Sequence, residues 1–379
     1  MTVYHNYIGG EWRPSRDGAV YETRNPANPN EVIGAFPLST RDDVLDAIAA
    51  ARQAQKGWAA MPPAQRGEIL LRAGLAIEAR ADDLARTLTR EEGKTLREAA
   101  GEVKRAADIF KFFGGEGRRL GGEVLPSDRT GAFNLVRREP LGVAALITPW
   151  NFPIAIPAWK MAPALIAGNA VVLKPASLTP LIAMEIVRAL IDAGVPAGVV
   201  NLVTGSGAVI GDELTTHPGV DAISFTGSYA VGHQLYQKAA ARMARVQTEM
   251  GGKNPLVVLA DADLDLAVQL AVVGGYGLTG QACTATSRVI VEAPLVEAFT
   301  ARLRARAESL RLGDGLDPAT EMGPTVSRSQ LETDLEYIAI GQREGARLVT
   351  GGDVVEGLGG HFIRPALFVD VRPEMRIAQ

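Results

Sequence analysis

The 379-residue sequence lacks the features that several protein classes require. It has one cysteine, Cys283, so no intrachain disulfide can form, and no basic and apolar leader opens the chain; both observations predict a cytoplasmic protein. Lys and Arg total 39 against 43 Asp and Glu, which leaves no basic field to attract nucleic acid. No metal site is predicted. These absences favour a small-molecule partner.

The longest uncharged stretch, residues 140–159, is long enough to resemble a membrane span. It contains Pro140, Pro149, Pro153 and Pro157, which would leave backbone carbonyls unpaired in lipid. A buried strand, a loop and a helix start fit the stretch better, so no membrane association is predicted.

The pattern of apolar residues predicts an α/β fold with a Rossmann-like parallel sheet. Residues 40–113 show helical spacing, and two extended pieces, 123–126 and 132–138, flank a turn and predict a hairpin. Short β-branched runs then alternate with helical stretches, which is typical of parallel strands with crossover helices and ligands at the carboxyl ends of the strands. The runs are 143–147, 171–173, 199–203, 223–225 and 256–259, and the helices are 157–167, 181–193, 209–216 and 230–241.

A second unit is predicted from residue 251 onwards. It should contain a helix from Asp263, a strand over 288–291 and helices near 294–310 and 327–344. We therefore expect a cofactor domain over 1–120 and 140–250, a hairpin arm over 121–139 and a catalytic α/β domain over 251–379.

Three residues in polar or glycine-rich loops are candidates for catalysis. Cys283, in Gly280-Gln281-Ala282-Cys283, is either an inert small side chain or a thiol that ionises and attacks an electrophile. Glu249 is either surface decoration or a general base before two glycines. Asn151 is either a turn residue or a neutral amide that donates to an oxyanion. The residues alone leave these alternatives open.

Two glycine-containing turns follow predicted strands. Residues 205–211 form a G-x-G-x-x-x-G, one residue longer than the dinucleotide fingerprint, and residues 225–228 end a strand and open a helix. Backbone N–H groups at such a helix start can hold a pyrophosphate. Together with Lys174, which ends another strand, the turns indicate a dinucleotide cleft.

Taken jointly, these motifs resemble the aldehyde dehydrogenase superfamily over essentially the whole chain, in the order of the family. The matching segments are 149–153, 159–160, 174–177, 225–228, 249–253 and 280–283. The resemblance implies that Cys283 is the nucleophile, Glu249 the base for the deacylating water, Asn151 the oxyanion donor and Lys160 a member of a proton relay. It also implies NAD or NADP in a cleft formed by Ile147, Trp150, Lys174, Ser177, Gly207, Gly211, Phe225, Thr226, Gly227, Ser228, Met250 and Gly251.

The resemblance also implies a substrate, a cofactor preference and an assembly. Ser177 stands where many members have a glutamate that would repel a 2′-phosphate, so dual use with a preference for NADP is expected. Residues 283–288 and 335–341 are similar to the branch that oxidises α-ketoglutarate semialdehyde, with succinate or glutarate semialdehyde as open alternatives. A dimer or tetramer built through the hairpin is expected if the chain is complete.

Two further alternatives concern whether the chain is a hydrolytic enzyme at all. Members of the family continue beyond the position of Gln379, so a truncated chain that is inactive or depends on a partner is one alternative. A CoA-acylating relative is the other, but such an enzyme would not need the base Glu249.

Overall fold

The computed structural model describes residues 1–379. Its helices are α1 Arg41–Ala60, α2 Pro63–Ala79, α3 Ala81–Glu92, α4 Leu96–Glu116, α5 Ala155–Ile166, α6 Pro180–Asp192, α7 Gly207–Thr216, α8 Tyr229–Ala240, α9 Leu264–Tyr276, α10 Val296–Glu308 and α11 Arg328–Arg343. Its strands are β1 Asn6–Ile8, β2 Glu11–Arg13, β3 Val20–Asn25, β4 Asn28–Pro37, β5 Glu123–Pro126, β6 Phe133–Val136, β7 Val143–Ile147, β8 Ala170–Lys174, β9 Val200–Leu202, β10 Ala222–Gly227, β11 Arg245–Met250, β12 Asn254–Val258, β13 Thr286–Val291, β14 Arg347–Thr350 and β15 Leu367–Val369.

The chain divides into two compact units with a boundary after Glu249, one residue before the predicted position. The first unit contains Met1–Thr23, Gly34–Leu84 and Ala100–Glu249, and the second contains Arg24–Ile33, Ala85–Ala99 and Met250–Gln379. The hairpin groups with the first unit, whereas two early segments group with the second. Hydrogen bonds explain the latter, because Leu96 N donates to Gly315 O and Leu278 N donates to Glu98 Oε1.

The first unit is built on a seven-stranded sheet in the order β11-β10-β7-β8-β9-β1-β2. The pairs β10–β7, β7–β8 and β8–β9 are parallel, as predicted. Every residue of β8 is buried, which is typical of a parallel strand with both faces covered. The chain runs outward from β7 through β8 to β9 and then returns to place β10 on the other side of β7. This reversal creates the crevice in which such sheets bind ligands.

Four strands before Thr40 were not predicted from the sequence. β1 and β2 have three residues each and pair with each other in a hairpin, and β1 also lies antiparallel to β9, which is distant in sequence. Gly9 and Gly10 form the connecting turn with φ values of 66° and 102°, a conformation that favours glycine. A two-glycine turn is a hairpin signal, and it was available in the sequence. The strands that flank it have three residues each and include the charged Glu11 and Arg13, so they show no apolar strand pattern.

The second unit packs around a smaller core. Strands β12 and β13 are parallel, and α9 connects them. Asp263 caps α9 through its carboxylate, which accepts from Asp265 N and Leu266 N. Val258, Phe299 and Met322 belong to the core that α9 and α10 cover. The predicted helices and strands of this unit are confirmed within a few residues.

Hairpin β5–β6 forms as predicted, and all eight of its strand residues are exposed. The uncharged stretch 140–159 forms β7, a turn and the start of α5. No helix combines the length and apolar character that crossing a bilayer needs.

Candidate active site

The carboxyl edge of the parallel sheet brings together the residues predicted to bind the cofactor in the first unit. Ile147 ends β7 and is paired with Lys174 of β8 on one side and with Phe225 of β10 on the other. Thr226 and Gly227 complete β10, and Ser228 follows as the residue before α8. Ile147 therefore lies where the strand connections diverge, at the crevice that the topology creates.

Two helices begin beside this edge without a capping side chain. Ser206 precedes α7 and Ser228 precedes α8, and neither hydroxyl bonds to its own helix. The two helices pack against each other. The unpaired N–H groups of their first turns and the positive ends of their dipoles fit the pyrophosphate of a dinucleotide. Gly207 opens α7, and nothing lies within 4 Å of a Cβ built on Gly211, so the backbone there is open to a ligand.

Lys174 supplies the cation of this edge. A Cβ built on Gly207 would lie 3.8 Å from Lys174 Cε, so the lysine side chain runs beside the start of α7. Its Nζ donates to Pro175 O at 3.1 Å, and burial lowers the pKa of Lys174 to about 8. Ser177 Oγ donates to Gly205 O at 2.8 Å and ties the loop after β8 to the loop after β9.

Trp150 and Asn151 lie in the half-buried turn between β7 and α5. A buried carboxylate from α4 fixes the end of this turn, because Glu102 Oε1 accepts from Ile154 N and Ala155 N, both at 3.1 Å. Glu102 was not predicted as a site residue. The sequence did contain a sign of its role, because Glu102 is an acidic residue among the apolar positions of an amphipathic helix.

Lys160 and Glu249 are joined through two residues that the sequence did not single out. Lys160 Nζ donates to Ser224 Oγ at 2.7 Å, Ser224 Oγ donates to Gln247 Oε1, and Gln247 Nε2 donates to Glu249 Oε1 at 2.8 Å. Burial lowers the pKa of Lys160 to about 8, and the charge of Glu249 acts in the opposite direction. Hydrogen bonds therefore connect Lys160 to Glu249 within the first unit, and the membership of Lys160 in a proton relay stays a prediction.

Cys283 belongs to the second unit, where it is a half-buried free thiol. Its loop begins with Leu278, Thr279 and Gly280, whose φ values are 54°, 57° and 71°. Leucine and threonine rarely adopt positive φ, and each such residue costs about 1–3 kcal/mol. Strained backbone of this kind persists only where its surroundings hold it.

Several hydrogen bonds hold the Cys283 loop. Leu278 N donates to Glu98 Oε1 at 2.8 Å, and Thr279 Oγ1 donates to Gly323 O at 3.0 Å. Asn254 Nδ2 donates to Cys283 O at 2.8 Å and to Ala285 O at 3.1 Å. Asn254, which was not predicted, therefore fixes the backbone of the candidate nucleophile.

The predicted site residues are divided between the two units. Asn151, Lys160 and Glu249 belong to the first unit, whereas Cys283, Met250 and Gly251 belong to the second. The proposed cofactor contacts of Met250 and Gly251 rest on the resemblance alone. No group of three or more His, Cys, Asp or Glu residues could hold a metal ion.

Comparison with known proteins defines the class. A sequence model described as the aldehyde dehydrogenase family matches residues 12–379, and the chain belongs to this family. It is 51% identical over 377 residues to an α-ketoglutarate semialdehyde dehydrogenase of Haloferax volcanii, covering 99% of this chain and 78% of the relative.

Two solved structures share the fold and carry different cofactors in their descriptions. A structure described as an E. coli NADP-dependent enzyme has a TM-score of 0.95 and 39% identity, covering 99% of this chain and 77% of that one. Betaine aldehyde dehydrogenase of Staphylococcus aureus in complex with NAD⁺ has a TM-score of 0.97 and 34% identity, covering 99% and 75%.

Proposed function

We propose that the chain oxidises α-ketoglutarate semialdehyde to α-ketoglutarate with a nicotinamide dinucleotide. Membership of the family makes it an NAD(P)-dependent enzyme that acts on a small aldehyde. The single observation that supports the particular substrate is the 51% identity to the Haloferax volcanii dehydrogenase over 377 residues. The segments around Cys283 and over 335–341, which resemble the same branch in the sequence, agree with it.

In the proposed mechanism Cys283 carries the substrate covalently. Its thiolate adds to the aldehyde carbon, forming a C–S bond and a thiohemiacetal oxyanion that the Asn151 amide stabilises by donating a hydrogen bond. When bound, the nicotinamide dinucleotide supplies the acceptor for the hydride of the aldehyde carbon. The uncapped starts of α7 and α8, with Lys174 beside them, are the residues of this chain that would hold it.

Glu249 then serves the hydrolysis of the resulting thioester. Its carboxylate takes a proton from water as the water oxygen bonds to the acyl carbon. The C–S bond breaks with its electron pair on the Cys283 sulfur, which releases the carboxylic acid and restores the thiolate. A CoA-acylating enzyme would not need this base, and the hydrogen bond that holds Glu249 favours the hydrolytic reaction.

For the cofactor, we propose that both NADP and NAD are used and that NADP is preferred. Ser177 brings no negative charge to the end of β8, and its hydroxyl is engaged with Gly205 O. The cation Lys174 lies at the same edge of the sheet. A cation without a neighbouring carboxylate favours a ribose that carries a 2′-phosphate.

We also propose an assembly and a location for the protein. The exposed hairpin β5–β6 mediates assembly into a dimer or tetramer. The protein works in a reducing compartment such as the cytoplasm. The apolar residues Val124, Phe133 and Leu135 on the hairpin support the first proposal. The second follows from the need for a free thiol at Cys283.

A reduced-nicotinamide assay with three aldehydes tests the function. We expect kcat/KM to be highest with α-ketoglutarate semialdehyde, lower with succinate and glutarate semialdehydes, and higher with NADP than with NAD. Higher kcat/KM with either of the other semialdehydes would overturn the proposed substrate. Strict use of NAD would overturn the proposed cofactor preference.

A further inference from the structure

We propose that Gln247 is a positioning residue for Glu249: its amide holds one oxygen of the carboxylate and leaves the other to accept the proton of the deacylating water. This inference rests on the proposed function, because it assigns a task to the base of that reaction. The juxtaposition that carries it is the directed chain from Lys160 through Ser224 and Gln247 to Glu249.

Sheet geometry places the two residues together. Gln247 and Glu249 are two positions apart on β11, so their side chains stand on the same face of the strand. Ser224 lies on β10, the neighbouring strand, and reaches Gln247 across the pair. Lys160 approaches Ser224 from α5. This arrangement fixes both ends of the Gln247 amide.

The direction of the hydrogen bonds from Lys160 to Glu249 limits the chemistry that this series of side chains can perform. A lysine ammonium only donates, so Ser224 must accept from Lys160 and turn its own hydrogen toward Gln247 Oε1. The amide nitrogen then faces Glu249 and donates to Oε1. A donor at this oxygen fixes the orientation of the carboxylate and occupies one of its two oxygens.

The same series of hydrogen bonds cannot move a proton from Glu249 to Lys160. A neutral carboxamide holds two hydrogens on nitrogen and none on oxygen, and it neither gains nor loses a proton near neutral pH. A relay that includes Lys160 would therefore have to bypass Gln247. In this series of hydrogen bonds, Lys160 acts through its charge and through the orientation that it imposes on Ser224.

The remaining oxygen of the base is accessible. Glu249 is an exposed residue, and its Oε2 accepts no hydrogen bond from the chain. Lys160 of α5 is close enough for the charge of Glu249 to raise its pKa, and Arg245 lies four residues before Glu249 on the same face of β11. The neighbouring β10 contributes the neutral Ser224. Since Gln247 fixes Oε1, Oε2 is the atom left to meet water.

An experiment on the whole protein without cofactor separates the deacylation step from the rest of the reaction. p-Nitrophenyl acetate transfers its acetyl group to the Cys283 sulfur and releases p-nitrophenolate, which reports acylation by absorbance. Water then converts the acetyl-enzyme to acetate, and the loss of acetyl mass reports deacylation. Both rates are measured from about pH 4 to about pH 9 for the parent protein, Gln247→Met, Gln247→Glu and the control Thr248→Val.

We expect Gln247→Met to slow deacylation about tenfold and to leave acylation unchanged, because Glu249 loses its donor and Ser224 loses its acceptor, and acylation uses neither residue. Gln247→Glu places a like charge beside Glu249, so the acidic limb of the deacylation profile should move up by about one pH unit. Thr248 points to the opposite face of β11, and Thr248→Val should retain the parent profile.

The outcomes separate this inference from the proposed function. If the parent protein is acetylated at Cys283 and both Gln247 variants give the parent deacylation profile, the positioning role is wrong while the nucleophile stands. If both steps slow together in Gln247→Met, the residue is merely structural and the inference is overturned. If no acetyl-enzyme forms in the parent protein, the proposed function fails, and the role of Gln247 fails with it.

Discussion

The two units of the molecule prepare their functional groups by different physical means. In the first unit, β7 and β8 are buried on both faces, and the lysines beside them are desolvated, which lowers the pKa values of Lys160 and Lys174 to about 8. In the second unit, β12 and β13 are half exposed, and the Cys283 loop depends on hydrogen bonds that hold a strained backbone. Burial adjusts charge in one unit, and polar anchors position a nucleophile in the other.

The strongest way to break this comparison is to remove the nucleophile. Cys283→Ala should abolish turnover, because no other residue of the chain is placed to form the C–S bond. Binding of NADP, measured by fluorescence titration, should remain unchanged, since the residues proposed to hold it at the sheet edge belong to the first unit. Residual turnover, or a loss of NADP binding, would show that the two tasks are not divided in this way.

Replacing the base should give the next largest effect. Glu249→Gln removes the proton acceptor for water, and steady-state turnover should fall by about 10²- to 10⁴-fold. Acylation does not use this carboxylate, so one burst of reduced cofactor per active site should persist in a stopped-flow measurement. A variant without the burst would place Glu249 in the first half of the reaction instead.

A matched pair of valines tests the difference in burial between the units. Val172 of β8 is 0% exposed and Val257 of β12 is 56% exposed. Val172→Ala should cost about 2 kcal/mol of unfolding free energy, through lost burial and a cavity. Val257→Ala should change it by no more than about 0.5 kcal/mol. Urea midpoints compare the two variants, and equal losses would contradict the contrast.

The pH dependence of cofactor binding should give the smallest effect. With its pKa lowered to about 8 by burial, Lys174 is mostly protonated at about pH 7 and mostly neutral at about pH 9. The Kd for NADP should therefore rise up to about tenfold across this range, while the Kd for NAD rises less. Titrations at both pH values measure the ratio, and Lys174→Met, as the control, should remove its pH dependence. A ratio that stays constant in the parent protein would contradict the role of Lys174.

The parallel sheet was predictable because the local sequence of its main strands shows the pattern of a strand. β7 and β8 are buried apolar runs, β10 has buried apolar residues at alternate positions, and a helix separates each strand from the next along the chain, so composition and spacing were sufficient. β1 was missed because three residues are too few to show a strand pattern, and its place in the sheet depends on β9, far away in the sequence. Local patterns carry little information about such a pairing.

The candidate site was predictable by residue type more than by arrangement. The two-residue spacing of Gln247 and Glu249 could be read from the sequence, but their link to Lys160 required the knowledge that β11 lies beside β10. The positive φ values of Leu278 and Thr279 were beyond prediction, because neither residue type favours that conformation. Anchors such as Glu98 and Asn254 follow from the tertiary fold.

The most direct measurement is the mass of the protein in the Glu249→Gln variant after mixing with NADP and α-ketoglutarate semialdehyde. The account predicts a stable acyl adduct of the substrate that peptide mapping locates on Cys283 and that is absent when Cys283 is also replaced by alanine. An unmodified protein that has nevertheless produced reduced cofactor, or an adduct on another residue, would contradict it.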